Sequence, residues 1–273
     1  MGPSAEIEQS PTTFAQILEA AAKLPGVRIN RSRYLQSALQ RHCSEEQIER
    51  AIAESPAVAG IPLTVITGIA DTAITYETTK VTGISAVAGI PGGWAVLGTV
   101  PADLAQYVGH MLRVTQKLAY LYSWPDLLSD DGTEMDEATE GMLTLFVGVM
   151  VGVQVAQSGV MKVSAMIAEQ VVKQLPQKAL TKGAIYPIVK QVSKILGVQM
   201  TKKIFASGVA KAIPVLGAAL SGGLTLATFL PMSKRLQRHL ASLELTKPGH
   251  RPSQDVVVDC ETVADDPQDD SAS

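Results

Sequence analysis

The 273-residue sequence predicts an all-α protein: a multi-helix bundle with Gly/Pro-rich apolar helical hairpins. Three observations carry this. Apolar residues recur at three- and four-residue spacing along most of the chain and almost nowhere alternate as a half-buried strand requires. Helix-start patterns precede several of these runs. Aromatics are only 4% of the residues, while Ala, Val, Gly, Thr, Ile and Leu dominate, a composition suited to close helix packing.

The first eleven residues, MGPSAEIEQSP, are polar and acidic and read as a flexible N-terminus without a signal-peptide pattern. Pro3 breaks the myristoylation pattern that Met1-Gly2 would begin. Residues 12–55 read as an N-terminal helical module. TTFAQILEAAAKL is ended by Pro25-Gly26, and RSRYLQSALQRHC comes next. SEEQIERAIAES opens with a capping box, in which Ser44 and Gln47 exchange hydrogen bonds, and Pro56 closes it.

The chain changes character over 56–243. AGIPLTVITGIADTAITYETTK (59–80) and AGIPGGWAVLGTVPADLAQYVGHMLRVTQK (88–117) share a Gly-Ile-Pro turn, an uncharged stretch, an aspartate and a polar amphipathic continuation. They form a loose internal duplication. A third Pro-Gly hairpin, KAIPVLGAALSGGLTLATFLPM, falls at 211–232. Between them LYSWPDLLSDDGTEMDEATE reads as an acidic loop, with a helix start at Thr133 and Asp136. An EF-hand fails there because Leu127 would have to be a ligand. GMLTLFVGVMVGVQVAQSGVM carries a GxxxG spacing at Gly148 and Gly152. Lys-rich amphipathic helices succeed it at roughly 160–175, 177–196 and 198–211, punctuated by Pro176, Pro187 and Gly197. SKRLQRHLASLEL reads as a basic helix, and 244–273 as a disordered acidic tail.

GIPGGW is not a phosphate loop, since it lacks the Lys-Ser/Thr ending and a preceding strand. Val81–Ala102 and Ala212–Met232 are uncharged and about long enough to span a bilayer. Both are interrupted by proline and glycine and poor in leucine and phenylalanine. They therefore read as hairpins that pack within the bundle or insert shallowly into a membrane. Gly89, Gly92, Gly93, Gly217, Gly222 and Gly223 would allow close backbone approach or act as hinges.

Pro101 suits the first position of a helix whose residues Asp103, Gln106, His110, Arg113 and Lys117 share one face. Two readings stay open: a solvated or hydrogen-bonded face, or a buried network or small site with His110 titrating between Asp103 and Arg113. Tyr107, Tyr120, Tyr122 and Trp124 read as core and loop anchors, or as an interfacial aromatic group. No nucleophile elbow or Ser-His-Asp order is present, and His42, His239 and His250 have no ligand spacing with His110. No cofactor or metal is expected. Cys43 and Cys260 read as two reduced thiols.

The net charge of -3 hides a strong asymmetry. From Val160 to Leu243 nearly every charge is positive, with Glu169 the single acid. Lys173, Lys178, Lys182, Lys190, Lys194, Lys202 and Lys203 line helices whose other faces are aliphatic, the pattern of a helix lying on an anionic bilayer. Each such lysine adds about 1 kcal/mol near that surface. Nucleic acid is the weaker partner, because arginine and stacking aromatics are scarce there.

The Ile-Pro-Gly-Gly turn at 90–93, Pro-Ala-Asp at 101–103, the Arg-x-x-Gln-Lys-Leu-Ala-Tyr-Leu-Tyr run at 113–122 and Ile-Pro-x-x-Gly-Ala at 213–218 resemble the EcsC family of bacterial proteins over roughly residues 56–240. The resemblance implies a mostly helical bacterial protein, cytoplasmic or membrane-associated. It carries over no activity and no catalytic residue. The expectation is a non-enzymatic protein peripheral to, or reversibly inserted in, the inner face of the cell membrane. Its lysine helices would dock on anionic lipid, and its hairpins would insert to permeabilise the bilayer in the sharpest form. The alternatives are an enzyme or small-ligand-binding protein using the face around Asp103, His110 and Arg113, and a scaffold that homo-oligomerises through its GxxxG face.

Overall fold

The computed structural model describes residues 13–87, 102–128, 135–169, 175–210 and 214–248, with backbone alone at 81–87, 102–103, 169, 200–210 and 214–226. Among them every regular element is a helix: α1 (Phe14–Ala22), α2 (Arg31–Leu39), α3 (Glu45–Ala53), α4 (Leu63–Val87), α5 (Ala102–Leu121), α6 (Glu137–Val151), α7 (Gln154–Glu169), α8 (Gln177–Thr181), α9 (Tyr186–Ala210), α10 (Pro214–Ala241) and a closing 3-10 turn (Glu244–Thr246).

The short N-terminal helices are set by their caps. Thr13 and Ser44 head capping boxes with Gln16 and Gln47, and the Asn30 side chain accepts from the Arg33 backbone N–H. Each cap satisfies amide groups that the first turn leaves without a helical partner. Phe14, Ile17, Leu18 and Ala21 then pack against α5 within the same continuous core as the rest of the protein.

α6 is the centre of the other half. After its first turn it carries no charged residue, so it has no side to offer to water, and every residue from Gly141 to Met150 is buried. α5, α7, α8, α9 and α10 all pack on it. Asp136 caps its start by accepting from the Thr139 amide at 2.7 Å, while Thr133 lies outside the described residues. Gly152 ends it at φ 94°, a left-handed cap that a side chain would strain. The apolar run read from sequence as one segment is therefore two helices.

The GxxxG glycines serve the fold of their own chain. A Cβ on Gly148 would lie 2.6 Å from a Val192 methyl of α9 and 2.8 Å from the Ala156 Cβ of α7. Several boundaries differ from the sequence reading: the stretch 177–196, read as one helix, is α8 and the first part of α9, separated at residues 182–185. α9 runs unbroken through Gly197, where a Cβ would come within 3.9 Å of the Phe14 amide, so this glycine lies where α1 approaches. α10 runs unbroken through Gly217, Gly222 and Gly223 and past Pro231. Proline removes one amide donor and frees the carbonyl four residues back. Pro231 and Ala227 are both exposed, so water can take that carbonyl.

α4 pairs with α10 along much of its length. Gln237 donates to the Thr67 carbonyl at 3.3 Å and Lys234 meets Asp71 at 2.5 Å, so the two helices are antiparallel. Ala57 donates to Ser123 at 3.0 Å at one end of the α4–α5 pair, and Glu77 meets Arg113 further along, which makes that pair antiparallel too. Tyr120, Tyr122 and Trp124 have no exposed surface, and Trp124 stands edge-on to Phe146 at 4.9 Å. They anchor the core and are not an interfacial aromatic group.

Gly148→Leu is expected to lower the thermal midpoint, since overpacking of this kind costs about 1–3 kcal/mol. Gly68→Ala is expected to raise it through a stability gain of about 0.5–1 kcal/mol, because Gly68 is an exposed interior residue of α4 and a Cβ added there would meet nothing within 4 Å. Thermal unfolding of both variants checks the opposite signs.

Candidate functional site

Ile66, Ile69, Ala70 and Ile74 follow helical spacing down the buried side of α4, and Glu77 falls on the same side. Its side chain has 0% exposure. A carboxylate there must be matched, because an unpaired buried charge costs several kcal/mol. The match comes from the polar face of α5. Arg113 forks onto it, with Nε 3.1 Å from Oε2 and a terminal nitrogen 3.2 Å from Oε1. Lys117 Nζ lies 2.6 Å from Oε1. His110 Nδ1 stands 3.9 Å from Oε2, beyond hydrogen-bond length.

Burial alone pushes the Glu77 carboxyl up. The contacts from His110, Arg113 and Lys117 outweigh it and hold the group well below the ordinary glutamate range. At 3.9 Å the imidazole donates no hydrogen bond, so Arg113 and Lys117 carry most of that effect.

The cluster reaches further. Arg113 also donates to the Gly26 carbonyl. Gln116, fully buried one residue before Lys117, donates to the Val27 carbonyl at 2.9 Å and accepts from the Ile29 amide at 3.0 Å. The α1–α2 connection is thereby pinned to α5 at the level of Glu77. Lys117 also sits 5.0 Å from the ring centre of Tyr76 and 5.7 Å from that of Tyr34. Burial, with Glu77 nearby, pushes the Tyr34 phenol up, so that it stays protonated.

Of the candidates read from sequence, His110 and Arg113 meet here, joined by Lys117. The charge that Arg113 faces is Glu77 and not Asp103, whose side chain lies outside the described residues. Gln106 is half-buried on the same helix face. Glu77 was not singled out by sequence. The signal that finds it is its register: a lone acid on an apolar stripe.

Asp71, six residues earlier, repeats the device on the other side of α4. Lys234 and Gln237 of α10 both donate to it. Burial pushes its carboxyl up, and the hydrogen bonds from these two donors together with the Lys234 charge outweigh it and hold the group below the ordinary aspartate value. Lys234, a member of the basic zone, is thus matched to an acid within the fold.

The remaining lysines divide differently. Lys162 on α7, Lys178 and Lys182 at α8, and Lys190 and Lys194 on α9 are exposed. Among the described residues none of these five meets a carboxylate, and Lys190 lies 4.7 Å over the Tyr186 ring. On α9, Pro187, Lys190, Gln191, Lys194 and Val198 form one exposed side. On α7, Gln154, Ser158, Met161, Lys162 and Ala165 do the same. Met161 and Val198 are 55% and 52% exposed, unusual for large apolar side chains in this protein. Lys173 and the hairpin glycines Gly89, Gly92 and Gly93 lie outside the described residues, as do the side chains of Lys202 and Lys203 and the surroundings of Gly217, Gly222 and Gly223. Among the described residues no cluster of three or more His, Cys, Asp or Glu is placed to hold a metal, and no helix is long and apolar enough to cross a membrane.

Glu77→Gln leaves Arg113 and Lys117 buried without their anion, at an expected cost of about 3–5 kcal/mol. Lys117→Met in that background is expected to recover part of the loss, read as non-additivity in urea unfolding. The native carboxyl titrates well below the unfolded one, so its stabilisation is fully present above the unfolded value of about pH 4.3 and is lost progressively as pH falls from there through the lower native value. The midpoint of the wild-type protein should therefore fall more steeply below pH 5 than that of Glu77→Gln; parallel acid limbs would show that Glu77 does not carry this dependence.

Comparison of the chain with protein-family models, with curated proteins and with solved structures yields no match.

Proposed function

We propose that this protein is a non-enzymatic, amphitropic protein that docks on anionic lipid at the inner face of a bacterial cell membrane through the outward side of α7, α8 and α9. The observation that carries this reading is the set of five exposed lysines on those helices, unmatched by any acid among the described residues, with Met161 and Val198 exposed beside them. A lipid surface supplies what this side lacks: a dense field of negative charge with an apolar layer just beneath. The resemblance to the EcsC family points the same way.

The hairpin sequences add a second element. α4 is antiparallel to both α5 and α10. The ends at Val87, Ala102 and Pro214 therefore lie towards one end of the bundle. From Asp71 to Val87 is about 24 Å along the helix axis, and from Lys234 back to Pro214 about 30 Å. These three helix ends fall within two stretches of sequence, Val81–Ala102 and Ala212–Met232, that carry no charge. Such an end is suited to shallow insertion once the lysines have brought the protein to the surface, and permeabilisation is the strongest form of that step.

Sedimentation with vesicles tests the docking. Binding to vesicles containing anionic lipid is expected at low salt, with little binding to neutral ones and weakening as salt rises. At about 1 kcal/mol per lysine, Lys190→Gln with Lys194→Gln should weaken partitioning roughly 30-fold while leaving the unfolding midpoint unchanged. Equal recovery on neutral and anionic vesicles would defeat the proposal. Dye release from the anionic vesicles reads the permeabilising step by itself.

A further inference from the structure

The chain leaves the described fold next to α7, the first of the three lysine-bearing helices. The closing 3-10 turn at Glu244–Thr246 packs against α7, with Leu245 and Thr246 buried, so the packed chain continues past Leu243. α7 carries Lys162, and α7 in turn packs on α9, where a Cβ on Gly159 would lie 3.1 Å from an Ile188 methyl. Lys190 and Lys194 stand on the exposed side of that same helix.

Beyond Pro248 the sequence is acidic. Residues 249–273 contain Asp255, Asp259, Glu261, Asp265, Asp266, Asp269 and Asp270 against a single arginine, Arg251. A stretch of this length can span at most about 80–90 Å, whereas neighbouring packed helices lie only about 8–10 Å apart. The reach needed to cross from α7 to α9 is far smaller than the reach the segment has. Tethering also makes the encounter intramolecular, at an effective concentration of order millimolar for short linkers.

Resting on the docking proposed above, we infer that the acidic segment 255–270 occupies the lysine side of α7–α9 in the lipid-free protein and competes there with anionic lipid. The segment is the counter-charge that Lys162, Lys190 and Lys194 lack within the described fold. It makes docking a displacement: a lipid surface must offer these lysines more negative charge than the tethered acids do. Weakly anionic surfaces then fail to recruit the protein and strongly anionic ones succeed.

The test labels the natural Cys260 with a nitroxide in the full chain carrying Cys43→Ala, and reads loss of amide NMR signal without any lipid present. Signal loss is expected at Lys162, Lys190, Lys194 and their neighbours at low salt. It should disappear near 1 M salt, where the Debye length is about 3 Å. It should also disappear when Asp265, Asp266, Asp269 and Asp270 are all changed to Asn, and that same variant should bind anionic vesicles more tightly than the parent. Signal loss spread evenly over the surface, or unchanged by salt and by the Asn substitutions, overturns the inference. The signal loss needs no membrane, so if it behaves as expected while no vesicle binds, the docking proposal fails and the contact stands.

Discussion

A carboxylate with no exposed surface sets the register of the N-terminal half. Glu77 is tolerated only where two cations reach it, and only one placement of α5 brings Arg113 and Lys117 to its two oxygens together. The same Arg113 extends to the Gly26 carbonyl, and the adjacent Gln116 takes up the backbone at Val27 and Ile29. One buried charge therefore aligns three segments that are far apart in sequence. Asp71 does a related job for α10 under weaker constraint. Its side chain is 48% exposed, and exposed pairs are worth only about 0–1 kcal/mol. The α4–α10 interface must draw most of its stability from apolar contact, with the ion pair selecting the register.

Much of this fold is legible from residues. The all-helical class follows from spacing, and the Ser44 and Asp136 starts follow from side chains whose oxygen atoms suit an unpaired first turn, as Thr13 and Asn30 do at two starts the sequence reading did not name. The polar face of α5 is legible as well. Its counterpart is harder to find, because a stripe of cations on one helix does not say which distant helix brings the acid. Two of the boundaries that the sequence reading places differently fall at breakers. Gly197 and Pro231 are breakers by local propensity, yet α9 and α10 run through them, and at Pro231 the exposed surroundings leave the freed carbonyl open to water. Gly152, by contrast, breaks a run that looks continuous by hydropathy, because it takes up a left-handed conformation.

α6 explains why the lysines end up outside. A helix without a polar side must be enclosed, and α7, α8 and α9 supply much of the enclosure. Each of them turns its aliphatic side inward, Val160, Val163, Leu180, Val192 and Leu196 all being buried. Lys162, Lys178, Lys182, Lys190 and Lys194 are then left on the exposed sides of these helices. Close approach at Gly148 and Gly159 draws α7 and α9 tight against α6, so their charged sides are carried on a closely packed base.

Three arginines serve the fold, as the buried Lys117 does: Arg113 forks onto Glu77, Arg31 donates to the carbonyls of Ala51, Ile52 and Glu54 at the end of α3, and Arg235 donates to the Met150 carbonyl at the end of α6. A planar guanidinium suits these tasks, since it presents several donors in fixed directions to fixed acceptors, and a cation at a helix C-terminus also complements the dipole. Lysine faces outward on α7–α9. Spacing such as Lys190–Lys194 places like charges four residues apart, which costs a few tenths of a kcal/mol in an isolated helix. An ammonium on a flexible stem gives little fixed geometry in return. It gains most from an acceptor that offers many anionic groups at once, the kind of partner proposed above.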